Sequence, residues 1–257
     1  MGLRALLSGA LVLVLVAGCS TAGRRAQREL DLRRAQSHFN IGLDHLKGGR
    51  AALALRELRK AAELDQRNPE IRYALAEAYL RKKRFPEAEA ELLSALDLRA
   101  DYHDARVSLS ALYIHLERYQ EAIAQCELLV DDPTFPAPWQ ALTNRGWADY
   151  KLGQHETARR SFEEAFEFND RYWPALLNLG ILAREEGKGR EATRLFEQVL
   201  ELRPSERAAA EANYHLGELY ADAGQRDRAR GYWRKAVVQD PDGPWGRKSE
   251  AYLRQLQ

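Results

Sequence analysis

Cys19 closes an uncharged, apolar run. Ala5 to Gly18 carries no ionisable residue, and Leu15-Val16-Ala17-Gly18 leads directly into the thiol. A core helix would not end in small residues and a cysteine and then turn polar, so this cysteine marks a boundary in the chain rather than a packing position. The other cysteine, Cys126, sits in a helical apolar pattern and reads as a small buried hydrophobe. If Cys19 is taken up elsewhere, Cys126 has no partner and no intramolecular disulfide is possible.

The remaining reactive residue types form no constellation. The six histidines stand at 38, 45, 103, 115, 155 and 215. His38 and His45 share a helix face, but no carboxylate or cysteine at ligand spacing completes a metal set, so a partly exposed structural role is expected. No nucleophile elbow, phosphate loop or dinucleotide fingerprint occurs, and Gly187-Lys188-Gly189 reads as a turn between helices. The many acidic residues read as solvated helix faces. The chain is therefore expected not to be an enzyme, with no metal, no small-molecule substrate and no cofactor. A formal net charge of +1 argues against a nucleic-acid partner.

The leader that presents Cys19 has one positive charge, Arg4, ahead of the apolar run. The run is shorter than the roughly 20 residues a membrane span needs and fits the core of a secretory signal. Leu15-Val16-Ala17-Gly18-Cys19 resembles a bacterial lipobox, with Val16 where leucine is commonest. That resemblance implies cleavage before Cys19 and a diacylglycerol, with further acyl chains such as palmitate, on its sulfur. Ser20 stands where an aspartate would mark inner-membrane retention, so the outer membrane, on its periplasmic face, is the expected location. An ordinary cleaved signal with an incidental cysteine is the alternative, and an uncleaved anchor ranks third on length. Residues 1–18 are read as the signal peptide and 19–34 as a lipidated tether. That tether has no apolar stripe, is open to helix towards its end and, if fully extended, would reach about 50 Å.

The rest of the chain repeats. Small residues recur at Gly42, Ala76, Ser110, Gly146, Gly180 and Gly217, in steps of 34, 34, 36, 34 and 37. Ala54, Ala88, Ala122, Ala158, Ala192 and Ala229 recur with the same steps, each followed four places later by Leu58, Leu92, Cys126, Phe162, Phe196 or Trp233. A period of about 34 with this pattern is the signature of the tetratricopeptide repeat. The expected fold is all-α: a tetratricopeptide (TPR) superhelical solenoid of six helix-turn-helix repeats at 35–68, 69–102, 103–136, 139–172, 173–206 and 210–243. Residues 244–257 place Trp245, Ser249, Tyr252 and Leu256 at helical spacing and read as a C-terminal capping helix over the last repeat.

Arrays of this kind use the first helix of each repeat to line a concave surface. The corresponding positions give a partner-binding groove of Phe39, Leu43, Leu46, Tyr73, Leu80, Val107, Ile114, Trp147, Tyr150, Leu177 and Ile181, interrupted by Glu77, Arg184 and Glu218. Clamps for acidic peptide tails would need Lys and Asn at these places. The apolar set suits a partner's amphipathic helix or extended hydrophobic segment instead.

A lipobox followed by six such repeats resembles the type IV pilus pilotin lipoproteins, the PilF/PilW/Tgl family. The most specific element is DDPTFPAPWQALTNRGWADYKLGQ at 131–154, in which Pro133, Phe135, Pro136, Asn144 and Gly146 match that family, while Asp149 stands where repeats usually place an aromatic. The resemblance implies a lipid-anchored pilotin that binds secretin subunits of the type IV pilus and promotes their outer-membrane localisation and multimerisation. A scaffolding lipoprotein for cell-wall enzymes or for outer-membrane protein assembly shares the same anchor and fold and remains the alternative.

Overall fold

A computed structural model describes the backbone of residues 3–255 and the side chains of residues 23–255. The described residues form thirteen helices, α1 (Leu3–Lys47), α2 (Ala51–Leu64), α3 (Pro69–Arg81), α4 (Phe85–Leu98), α5 (His103–His115), α6 (Tyr119–Val130), α7 (Pro138–Lys151), α8 (His155–Phe168), α9 (Trp173–Glu185), α10 (Gly189–Glu201), α11 (Glu206–Asp222), α12 (Arg226–Gln239) and α13 (Pro244–Gln255), and no strand. None of the helices searched is long and apolar enough to cross a membrane. Cys19 and Leu256 lie outside the residues whose side chains are described.

Two compact units divide the chain, residues 1–105 and 106–257. In the first, α1 pairs with α2 and α3 with α4. The stretch read as a tether, with helix allowed towards its end, is helical from Gly23 onward and continues into the first repeat without a break. Arg, Gln, Glu, Leu and Ala are strong helix formers, and the i,i+4 pairs Gln27–Asp31 and Glu29–Arg33 support the exposed surface. As helix, each residue there advances about 1.5 Å, less than half its extended reach. Asn68 caps α3 by accepting from the backbone N–H groups of Glu70 (3.0 Å) and Ile71 (3.2 Å), with Pro69 at the first helical position.

In the second unit, α7 packs on α8, α9 on α10 and α11 on α12. One small residue sets each of these pairings. A Cβ built on Gly146 would lie 2.7 Å from the Phe162 ring, one on Gly180 2.7 Å from Phe196, and one on Gly217 too close to Trp233 to fit. All three rings are fully or almost fully buried. The aromatic residues at these places therefore require that no side chain oppose them.

The two extra residues between α6 and α7 fold into a turn. Asp132 Oδ1 accepts from the Thr134 backbone N–H (2.8 Å) and hydroxyl (2.7 Å), and the Phe135 N–H donates to Asp132 O (3.1 Å). That turn plants Phe135 in a cluster with Cys126, Leu129 and Ala141. Asn144 then donates to Ser110 Oγ (3.0 Å), tying α7 to α5. The three extra residues before the sixth repeat are absorbed as an additional helical turn at the start of α11, where Ala208, Ala209 and Ala210 are buried and Ser205 is the cap. The C-terminal helix α13 covers α12 with Tyr252 stacked on Trp233, centroids 4.7 Å apart and planes within 7°.

Candidate functional site

The residues assigned to a groove separate into surface and core. In the first unit, Phe39 and Leu43 on α1 and Tyr73 and Leu80 on α3 are half-buried, and Tyr73 meets Tyr102 with centroids 5.1 Å apart. Leu46 is not available to a partner, being only 3% exposed. The last turn of α1 lies against α3, and Arg81 Nη1 donates to the Leu46 carbonyl (2.6 Å).

In the second unit, Ile114 on α5 is half-buried, while Val107 packs onto the Cys126–Phe135 cluster. Leu177 is 7% exposed and belongs to the core cluster built around Leu176, Leu179 and Phe196. The spacing rule placed it at the surface. However, Ala175, Leu176, Leu179, Gly180, Leu182 and Ala183 are buried as well, so α9 is enclosed on most sides and Leu177 is drawn into the core. Trp147, Tyr150 and Ile181 are half-exposed and each packs on that cluster. The Trp147 and Tyr150 centroids are 5.1 Å apart, and Lys151 Nζ lies 4.8 and 5.2 Å from them.

Beyond this aromatic pair the surface turns polar. The Tyr150 hydroxyl donates to Glu185, and Arg184 donates to Glu218. His215 Nδ1 lies 3.1 Å from both Arg184 Nη1 and Glu218 Oε2, and the Tyr214 hydroxyl donates to Glu218 Oε1 (2.8 Å). His215 itself is buried, stacked on Phe196 with centroids 5.1 Å apart, and so has a core role. Burial pushes the His215 pKa down, against its hydrogen bond to the Glu218 carboxylate. Burial alone would raise Glu218, but His215, Tyr214 and Arg184 outweigh it and hold its carboxyl below the ordinary range. Burial, then Glu185, pushes the Tyr150 phenol up to about 12. Cavities of about 430 and 740 Å³ flank Arg184 and share Asp222. Trp233 and Tyr252 line the first, Leu219 and Tyr220 the second.

His38 is partly exposed, as expected, and meets a carboxylate, Glu57 of α2, at 2.8 Å. The partner lies 19 residues away, which helix-face reasoning within α1 could not reach. Glu57 is buried rather than solvated. Hydrogen bonds from His38 and Lys60 hold it at about 2. Cys126 is free and buried, its thiol pushed up to about 12 by burial, so it is a packing residue and a poor nucleophile. Among the described residues, no group of three or more His, Cys, Asp or Glu side chains could hold a metal ion.

Three family models, each described as tetratricopeptide repeat, match residues 45–101, 85–141 with 177–244, and 140–172. The chain is a tetratricopeptide repeat protein. No curated protein matches the repeat chain. Among solved structures, the tetratricopeptide array is similar to PilW, a widely conserved type IV pilus biogenesis factor, at 19% identity and TM-score 0.71, covering 86% of this chain and 97% of that one. It is also similar to PilF from Pseudomonas aeruginosa, at 19% identity and TM-score 0.70, covering 88% and 99%. MamA from Desulfovibrio magneticus RS-1 matches at 23% identity and TM-score 0.59, covering 66% and 94%. With 337 matching chains, these likenesses establish the repeat fold and do not by themselves choose among its uses.

Proposed function

We propose that the chain is a lipid-anchored pilotin of the outer membrane. It binds secretin subunits of the type IV pilus and promotes their localisation and assembly into multimers. The observation that carries this reading is the pairing of an apolar leader ending at Cys19 with a repeat array that spans nearly the whole of two pilus-biogenesis factors. Several acyl chains on Cys19 would hold the array stably at the membrane, where one chain holds a protein only marginally. Confinement at that surface raises the effective concentration of array and client. The half-exposed aromatic surface of Trp147, Tyr150 and Ile181, bordered by the Arg184–Glu218 pair, offers an amphipathic segment both apolar contact and polar registration.

Deletion of the chain tests this reading. Loss of secretin multimers and of twitching motility is the expected outcome. Intact multimers with altered wall turnover or porin levels would move the protein to the scaffolding class. Cys19→Ala should leave the array folded, abolish palmitate labelling and shift the protein out of the membrane fraction. For the surface, Trp147→Glu replaces the substitution at Leu46 that spacing alone would suggest, because a charge at buried Leu46 would disrupt folding rather than report binding.

A further inference from the structure

In the second repeat, Tyr79 is buried among guanidinium groups. Arg59 donates to its hydroxyl through Nε (3.2 Å) and Nη2 (2.9 Å), and Arg84 lies 5.1 Å from the ring centroid. The third repeat keeps part of this device: Arg118 lies 4.3 Å from the ring of buried Tyr113, while Leu93 stands in the register of Arg59. In the fourth repeat the residue in the register of Tyr79 and Tyr113 is Asp149, and the residues in the register of Arg59 and Arg84 are Glu127 and Gln154. A ring between cations has become a carboxylate with an acidic and an amide neighbour.

A cavity of about 440 Å³ opens there, bordered by Glu127, Asp149, Gln154 and Ser161 and by the apolar side chain of Ile123. Asp149 is only 3% exposed, and its Oδ2 is buried with no hydrogen-bond partner. A buried charge in that condition is costly. Two arginines also line the cavity, but neither forms an ion pair with Asp149. Arg145 donates through Nε to Ser161 Oγ (3.1 Å) and pairs through Nη2 with Glu164 (3.5 Å), while Arg160 approaches Thr157 (3.5 Å). Once Arg145 is assigned to Glu164, the remaining carboxylates, Asp149 and Glu127, outnumber the remaining cation.

We propose that this cavity is a binding site for a basic side chain, arginine or lysine, of a polypeptide held by the array, with its cationic head paired to Asp149 and its methylene stem along Ile123. The space is of the kind an aromatic side chain fills in the sister repeats, which suits a long, slender residue. An anion would face Asp149 directly, and a neutral group would leave its charge uncompensated. A guanidinium or ammonium group supplies the missing donors and the opposite charge together. The inference rests on the array binding a polypeptide, not on that polypeptide being a secretin.

The test uses Nα-acetyl-arginine amide and Nα-acetyl-lysine amide as probes, with Nα-acetyl-citrulline amide as the neutral isostere. Each is titrated into the isotopically labelled full-length chain while the backbone amide resonances of Asp149 and Ser161 are followed. Saturable shifts are expected with at least one cation and none with citrulline. Asp149→Asn should weaken the binding roughly tenfold or more, and Asp149→Tyr, which restores the ring, should abolish it. Thermal unfolding of both variants checks that they remain folded. The proposal is overturned if neither cation gives a saturable shift, if citrulline matches them, or if Asp149→Asn binds as the parent does. Cation binding without any effect of deletion on pilus secretins would sink the pilotin reading alone and leave this site standing.

Discussion

The second and fourth repeats share a backbone plan and fill it in opposite ways. The second places Ala76 sixteen residues before Leu92, and the fourth places Gly146 sixteen before Phe162. All four are buried. At the next inward position the second repeat buries Tyr79 against Arg59 and Arg84, and the fourth buries the smaller, charged Asp149. The repeat thus fixes where side chains meet but not how volume and charge are shared. The second repeat spends its space on internal contacts, while the fourth leaves a polar opening beside a larger ring. Closed joints suit a spacer, and open ones suit a contact point.

Importing the fourth repeat's residue into the second should give the largest effect. Tyr79→Asp removes a buried ring and places a carboxylate in its cavity. The two nearby guanidiniums can only partly compensate, because they reach the phenol oxygen and ring faces rather than an aspartate's shorter arm. A loss of about 3 kcal/mol or more is expected, read as a lower midpoint in urea unfolding monitored by circular dichroism. A change below about 1 kcal/mol would mean that Tyr79 and Asp149 are interchangeable, and the contrast would fail.

The volume contrast comes next. Gly146→Ala drives a methyl to 2.7 Å from the Phe162 ring and 3.1 Å from the Ala158 carbonyl. Overpacking of this kind costs about 1–3 kcal/mol. Adding Phe162→Leu recreates the second repeat's pairing of alanine with leucine and should recover part of the loss, so the two changes should not be additive in a double-mutant cycle. Additive losses would show that the backbone clash with Ala158, rather than the ring, sets the requirement for glycine.

Much of this arrangement is legible in the sequence because it depends on period. The steps of 34, the helix breaks at Gly49, Gly153, Gly187 and Gly224, and the small-to-large spacing all recur and report one another. What the period cannot show is contact between helices. The partnership of His38 with Glu57, and the way Arg145 turns towards Ser161 and Glu164 and away from Asp149, depend on which rotamer meets which neighbour. Surface positions inferred from one helix face fail where flanking residues are also apolar, as at Leu177, or where a helix end is tucked under its neighbour, as at Leu46. Asp149 was visible as a departure from the aromatic usual there. Its unpartnered oxygen was not, because satisfaction of a buried polar atom is a property of the assembled core.

Two buried carboxylates turn the comparison into opposite pH dependences. Glu57 is held at about 2, chiefly by hydrogen bonds from His38 and Lys60. A depressed value contributes stability that is present above the ordinary carboxylate range and is lost as pH falls towards 2. Asp149 is raised by burial, opposed by Arg145. A raised value contributes stability that is fully present below the ordinary range and is lost as pH rises through the raised value. Glu57→Gln should therefore destabilise at neutral pH, with the deficit shrinking in acid. Asp149→Asn should be neutral or stabilising near pH 7, with the gain disappearing in acid. Urea midpoints of both variants and the parent, taken from neutral pH downward, check the signs. Parallel pH profiles for the two variants would contradict both assignments.

The smallest effects lie at the tight turns between paired helices, where the repeats again divide. Four of these turns use glycine in the left-handed region, at φ 70° for Gly49, 76° for Gly153, 72° for Gly187 and 75° for Gly224. The second and third repeats instead force Lys83 (φ 56°) and Glu117 (φ 59°) into that region. A side chain there brings its Cβ against the following carbonyl, at about 1–2 kcal/mol per residue. Glycine removes that strain but adds freedom to the unfolded chain, so Lys83→Gly and Glu117→Gly should each gain only about 0.5–1 kcal/mol. The reverse change, Gly153→Ala, should lose a similar amount. The turn closes the same way in both classes: Lys83 N–H donates to Leu80 O (2.9 Å) and Gly153 N–H to Tyr150 O (3.0 Å). The hydrogen bonds therefore cancel in the comparison and only the backbone preference is left. If Lys83→Gly instead destabilises, the lysine must be making a stabilising interaction that outweighs its strain, and the second repeat would owe its closed form to that side chain as well as to Tyr79.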